Sequence, residues 1–169
     1  MLIRQAFALL NRLLPAEEAS AHCDIPCGIY DPHLAQIAAL TVVRMNQLID
    51  ALEPPAMEKA ARDKYMNSLA RYIATKEEHA ELVKREVRII WGDFFKPEHL
   101  EKFPDLHNTV WNIMKLASKA RQEVNMEAAQ ALLEEVNRFA EAFWAAKGVN
   151  TARQPTRQTA GGEFALPVA

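Results

Sequence analysis

The 169-residue chain has only five glycines and two cysteines, and its net charge of −2 shows no excess of either sign. Scarce glycine argues against a loop-rich fold and, with Ala, Leu, Glu and Lys common, tilts the composition towards helix. Two cysteines cannot build a disulfide framework. Near-neutral charge offers no support for nucleic-acid binding, which calls for a basic face. No apolar run approaches the roughly 20 residues that cross a bilayer. What remains is a chain of single-domain size, half hydrophobic and a quarter charged, which is the ordinary profile of a soluble globule.

Both cysteines fall in one short stretch, His22-Cys23-Asp24-Ile25-Pro26-Cys27-Gly28-Ile29-Tyr30-Asp31-Pro32. Before it lies a segment of different character, residues 1–21, with Arg4 and Arg12 among Leu2, Phe7, Leu10, Leu13 and Leu14. It closes on Glu17-Glu18 and Ala19-Ser20-Ala21. Asn11 and Arg12 interrupt the apolar run, so an amphipathic, removable pro-segment fits better than a secretory signal. The plain alternative is a first helix that stays attached.

After the stretch, helical patterns dominate. Pro32 suits a helix start, with Asp31 as cap, and Leu34, Ile37, Thr41, Met45, Leu48 and Leu52 mark an apolar face that ends at Pro54-Pro55. A second helix is expected from about Met57 to Asp93, with Leu69, Ile73, Ala80, Val83, Val87, Ile90 and Phe94 on one face. That face has a polar gap at Lys76-Glu77, read as a solvated turn or as a place where something polar docks. Gly92 and Pro97 should end it, and Glu98–Lys102 should form a short helical turn. A third helix after Pro104 presents Leu106, Val110, Ile113, Ala117 and Ala120. A fourth, capped by Asn125 and ended by Lys147-Gly148, presents Ala129, Leu132, Val136, Phe139 and Phe143. Trp111 and Trp144 read as core or interface residues, and His33, His99 and His107 as surface or capping groups. The fold expected is all-α, an antiparallel four-helix bundle. The domain plan is a leader at 1–21, a hook at 22–32, a bundle at 33–148 and a disordered tail at 149–169.

The chemistry lies in the hook. If the peptide is cut between Ala21 and His22, the new amine and the Cys23 amide nitrogen close a five-membered chelate ring. The Cys23 amide and its own thiolate close a second, and Cys27 can turn back as a fourth donor. The set is planar, two nitrogens and two sulfurs, with the His22 imidazole able to reach an axial position. A deprotonated amide needs a metal that favours square-planar geometry, nickel(II) or copper(II) and not zinc. Thiolate binding links the site to protons. Strong anionic donors stabilise a higher oxidation state, which brings a nickel(III)/nickel(II) couple within reach of superoxide. Without the cut the first ring is lost, so leader and metal site form one hypothesis. The same residues admit a structural zinc site, or a disulfide-looped helical interaction protein.

The hook, together with Trp91-Gly92-Asp93-Phe94-Phe95-Lys96-Pro97-Glu98-His99-Leu100-Glu101-Lys102-Phe103-Pro104-Asp105-Leu106-His107, resembles the nickel-containing superoxide dismutases over roughly His22–Lys147. The resemblance implies disproportionation of superoxide to oxygen and hydrogen peroxide, with one nickel ion per subunit. The implied metal ligands are His22, Cys23 and Cys27. Tyr30 would stand beside the open face of the metal, while Asp24 and Pro26 shape the loop. It also implies leader cleavage between Ala21 and His22 by a processing protease, a homohexamer and, as first choice, a cytoplasmic location, with export through the leader second. Neither a nucleic-acid partner nor a membrane span is implied. Three positions depart from the family pattern. A glutamate that supports the hook imidazole aligns with Ala38, a neighbouring arginine with His79, and a second tyrosine with Phe94. His79 is the candidate to replace the missing contacts.

Overall fold

Asp31 and Pro32 launch the first helix. The Asp31 carboxylate accepts the His33 N–H at 2.8 Å, and the Pro32 carbonyl accepts the Gln36 N–H at 3.1 Å. The computed structural model describes residues 28–168. In chain order these form α1 (His33–Asp50), α2 (Lys59–Ile89), a π-helical turn (Ile90–Phe94), α3 (Pro97–Lys102), α4 (Leu106–Gln122), α5 (Met126–Ala146), β1 (Thr151–Pro155) and β2 (Glu163–Pro167). The four long helices close a ring: α1 packs on α2, α2 on α4, α4 on α5 and α5 on α1. Among the described residues no helix is long and apolar enough to cross a membrane.

The ring encloses one apolar core. The expected faces of α4 and α5 are the buried ones, with Ile113, Ala117, Leu132, Val136, Phe139 and Phe143 all at 0% exposure. The Asn125 side chain caps α5 by accepting the Ala128 N–H at 2.8 Å, and Gly148 ends that helix in the left-handed region at φ +74°.

α1 departs from expectation. Its core face is Ala35, Ala38, Ala39, Val42 and Asn46, all fully buried, while the larger Leu34 and Ile37 are 45% and 44% exposed. Small residues allow helix axes to approach closely, so α1 turns its alanines to α2 and α5 and leaves the Leu34–Ile37 stripe outside. Two smaller differences follow the same logic. Gly92 does not end the second helix; a π turn, closed by the Phe95 N–H on the Ile90 carbonyl at 3.4 Å, carries it to Phe94. Trp111 is 61% exposed, with Lys115 Nζ 4.3 Å from its ring centroid.

The polar gap of α2 is not a solvated turn. Lys76 is 2% exposed, and its ammonium donates to the Glu123 carbonyl just past the end of α4. Desolvation by burial holds this amine below the usual lysine range. Nearby, the buried Asn46 side chain accepts the Asn125 N–H at 3.2 Å, so polar groups of α1 and α2 bond the backbone of the α4–α5 turn.

The stretch expected as a disordered tail is an antiparallel hairpin. Thr151 pairs with Pro167 and Pro155 with Glu163, and Gly161 and Gly162 enter β2 at φ +74° and +78°. Phe164 and Ala165 are buried against the helices. The bundle-facing edge of β2 is satisfied by side-chain amides. Asn137 of α5 accepts the Ala165 N–H at 3.1 Å and donates to the Glu163 carbonyl at 2.9 Å, while Gln36 of α1 donates to the Ala165 carbonyl at 3.0 Å. Gln36 and Asn137 bond each other at 2.8 Å, which locks both amides.

Candidate metal centre

Ala21, His22, Cys23, Asp24, Pro26 and Cys27 lie outside the described residues. What the structure describes is the ground on which the hook's C-terminal end rests. Gly28 takes φ +70°, a left-handed conformation that glycine adopts without strain. Two residues on, Tyr30 is half-buried, with its ring 6.0 Å from that of Phe94.

Phe94 is the hub of an aromatic cluster. Its ring lies 4.6 Å from Phe143 and 5.1 Å from Phe95, and it stacks on His99 at 5.6 Å with 14° between planes. The π turn explains its placement. A five-residue repeat widens the helix and re-aims the last side chain, so Phe94 meets the fully buried Phe143 instead of following the α2 stripe. His99 serves two purposes. Its Nδ1 accepts the Lys96 N–H at 3.0 Å, which caps α3 and leaves the Nε2 nitrogen to carry the ring proton in the neutral form. His107 likewise accepts from Trp91 Nε1 at 3.0 Å.

The structure therefore brings Tyr30 and Phe94 together and adds His99, whose part in the cluster was not read from the sequence. The signal was present: His99 follows Phe94 and Phe95 by five and four residues across Pro97, a spacing that a turn into a short helix can fold together. His79 is placed differently. It is half-buried on α2, with Nδ1 2.9 Å from the Thr75 carbonyl of its own helix, and no described contact joins it to Phe94. Since a carbonyl only accepts, His79 Nδ1 carries a proton and Nε2 is left as the second nitrogen.

Among the described residues there is no cluster of three or more His, Cys, Asp or Glu placed to hold a metal. The residues expected from the sequence to hold a metal, His22, Cys23 and Cys27, lie outside the described residues.

Comparison with known proteins places the chain in a family. The family model described as nickel-containing superoxide dismutase matches residues 17–147. The nickel superoxide dismutases of Streptomyces coelicolor and Streptomyces seoulensis are each 34% identical over 140 residues, spanning 82% of this chain and 98% of theirs. Among solved structures, native nickel superoxide dismutase superposes with a TM-score of 0.64 at 33% identity, covering 75% of this chain and 99% of that one. A nickel-containing superoxide dismutase whose ligation corresponds to the oxidised state gives 0.65 at 31% identity, with the same coverage.

Fold and family match together define a helical-bundle metalloenzyme that is an oxidoreductase. The chain belongs to the nickel-containing superoxide dismutase family: its activity is the dismutation of superoxide and its cofactor is nickel. The matched region stops at residue 147, just before the hairpin.

Proposed function

We propose that this dismutase holds nickel through the His22 amine and imidazole, the Cys23 amide and thiolate, and the Cys27 thiolate, after a protease cuts between Ala21 and His22. Nickel, when bound there, supplies the one-electron couple that lets two superoxide ions and two protons become oxygen and hydrogen peroxide. The chain's residues do the rest. The thiolates and amide donate the negative charge that favours the higher oxidation state. Asp24 and Pro26 shape the loop. Tyr30 brings its hydroxyl from the aromatic cluster towards the side from which superoxide arrives. Phe94 presents a bare ring where other family members carry a second phenol, so Tyr30 is the phenol of this site. His79 takes the place of the arginine that neighbours the imidazole elsewhere in the family, acting as a positioning residue through its Nε2 nitrogen.

The observation that supports the reading is the seating of Tyr30 on Phe94, three residues after Cys27, which ties the end of the hook to the bundle. We further propose a homohexamer in the cytoplasm, with one nickel per subunit. Intact-mass spectrometry of the purified enzyme, under conditions that retain bound metal, tests the core of this. The expected species begins at His22 and carries one nickel; an active species that still contains Ala21 would overturn it. For His79, the H79A variant should alter the nickel electron-spin resonance spectrum as well as the rate. An unchanged spectrum would remove His79 from the site.

A further inference from the structure

α1 is apolar on two sides. Its alanine face is in the core. Its other face carries Leu34 and Ile37, nearly half exposed, and Thr41, Met45 and Leu48, partly buried. The hairpin stands beside this outer face. His33, Ile37, Leu40, Thr41 and Arg44 of α1 and Gln158, Thr159, Ala160 and Phe164 of the hairpin region enclose a groove of about 390 Å³. Apolar Ile37, Leu40, Ala160 and Phe164 share its walls with the polar groups. Arg44 stands at one end, bonded to the Gln47 amide at 3.1 Å and to no carboxylate among the described residues. The 390 Å³ lies within the range of natural binding pockets, roughly 300–1,000 Å³.

The chain itself contains a segment that fits. Residues 1–21 carry Ile3, Phe7, Leu10 and Leu14 at steps of four, three and four. Leu34, Ile37, Thr41, Met45 and Leu48 run at three, four, four and three. These are the rhythms with which two helical stripes interdigitate. The leader closes on Glu17-Glu18, the charge that Arg44 lacks. Reach is sufficient: the eleven residues 22–32 can extend about 36 Å, whereas the stripe from Leu34 to Leu48 is about 21 Å long. The leader can therefore meet either end of the groove.

We propose that in the uncut chain residues 1–21 occupy the groove between α1 and the C-terminal hairpin, with their apolar side chains on Ile37, Leu40 and Phe164 and Glu17-Glu18 at Arg44. The leader is then an internal cover, and its removal both frees the His22 amine and bares the outer face of α1. This rests on the reading of residues 1–21 as a removable leader. It also gives the hairpin, which lies beyond the family match, a purpose as the second wall of the groove.

The test uses the full uncut chain with p-benzoylphenylalanine in place of Phe7. Irradiation followed by digestion and mass spectrometry should give links within one chain to residues 33–50 or 158–164. I37D should lower the yield at least several-fold. Ile37 is 44% exposed, so folding is retained, and a thermal melt verifies it. R44E should also lower the yield, and adding E17R and E18R to it should restore the link. Links between two chains would mean that a second copy fills the groove and would overturn the proposal, as would links to other parts of the bundle or a yield that ignores all these variants. The link is read before cleavage and without nickel, so a failure of the metal-site reading would leave it in place, and its own failure would leave nickel content untouched.

Discussion

The bundle and the C-terminal hairpin are held by different forces. The bundle is closed by area: rows of Ala, Val, Leu and Phe at zero exposure on α4, α5 and the inner face of α1. The hairpin buries Phe164 and Ala165, packs Ala160 and Leu166 against the core, and is pinned by polar groups, the Gln36–Asn137 amide pair on β2 and the Arg153 guanidinium on Glu134 and Glu141. Apolar burial is non-directional and tolerates small shifts. Amide pairing is directional and fails when one partner goes, because the remaining groups are left buried and unpaired. The bundle should therefore lose stability in proportion to the volume removed, and the hairpin should detach from a single polar change.

The largest effect expected on the bundle side comes from F143A. Phe143 is fully buried and in contact with Phe94 and Trp144. Truncating it should cost about 3–5 kcal/mol by chemical denaturation, and loss of the Phe94 contact should loosen Tyr30. On the hairpin side, N137L leaves the Ala165 N–H, the Glu163 carbonyl and the Gln36 amide without their partner. A loss of about 1–3 kcal/mol is expected. Hydrogen exchange should accelerate over residues 151–167 while α4 stays protected. If both variants melted the whole molecule alike, the contrast between the two regions would be wrong.

Lys76 sharpens the comparison from inside the bundle, as a polar contact where area should rule. Its folded pKa is lowered by burial. Between that value and 10.5 the unfolded chain holds a proton that the folded one releases, so stability rises with pH across that window. K76M should lack this rise when denaturation is followed from neutral to alkaline pH. The smallest effect belongs to R153A, which removes half-exposed ion pairs worth about 0–1 kcal/mol. The Arg153 hydrogen bond lowers the Glu134 pKa below its ordinary 4.5. Its contribution is present above 4.5 and is lost as pH falls through the lowered folded value. Acid should therefore lower hairpin protection, taken relative to intrinsic amide exchange at each pH, in the parent and change it less in the variant.

Different parts of this molecule were legible to different degrees. The buried faces of α4 and α5 follow from spacing, because Leu, Ile, Val and Phe recur there at the helical period. α1 misleads the same rule, since its largest apolar residues face out and its alanines face in. Lys76 misleads it too: a charged residue is ordinarily solvated, and only the carbonyl of Glu123, 47 positions away, makes a buried amine acceptable. The hairpin gave one local signal, Gly161-Gly162 before Phe164, but its strands are five residues long and both contain proline. Their hydrogen-bond partners Gln36 and Asn137 are 129 and 28 positions from Ala165.

Along the chain alone, the helical character was already determined and His22, Cys23 and Cys27 could be singled out as candidate donors, because helical period and chelate rings depend on near neighbours. Tertiary structure alone decided which face of α1 is core, that Tyr30 rests on Phe94, and that residues 151–167 are ordered. Each of those outcomes depends on groups far apart in sequence meeting within a few ångströms, and no local pattern encodes which distant partner will be there.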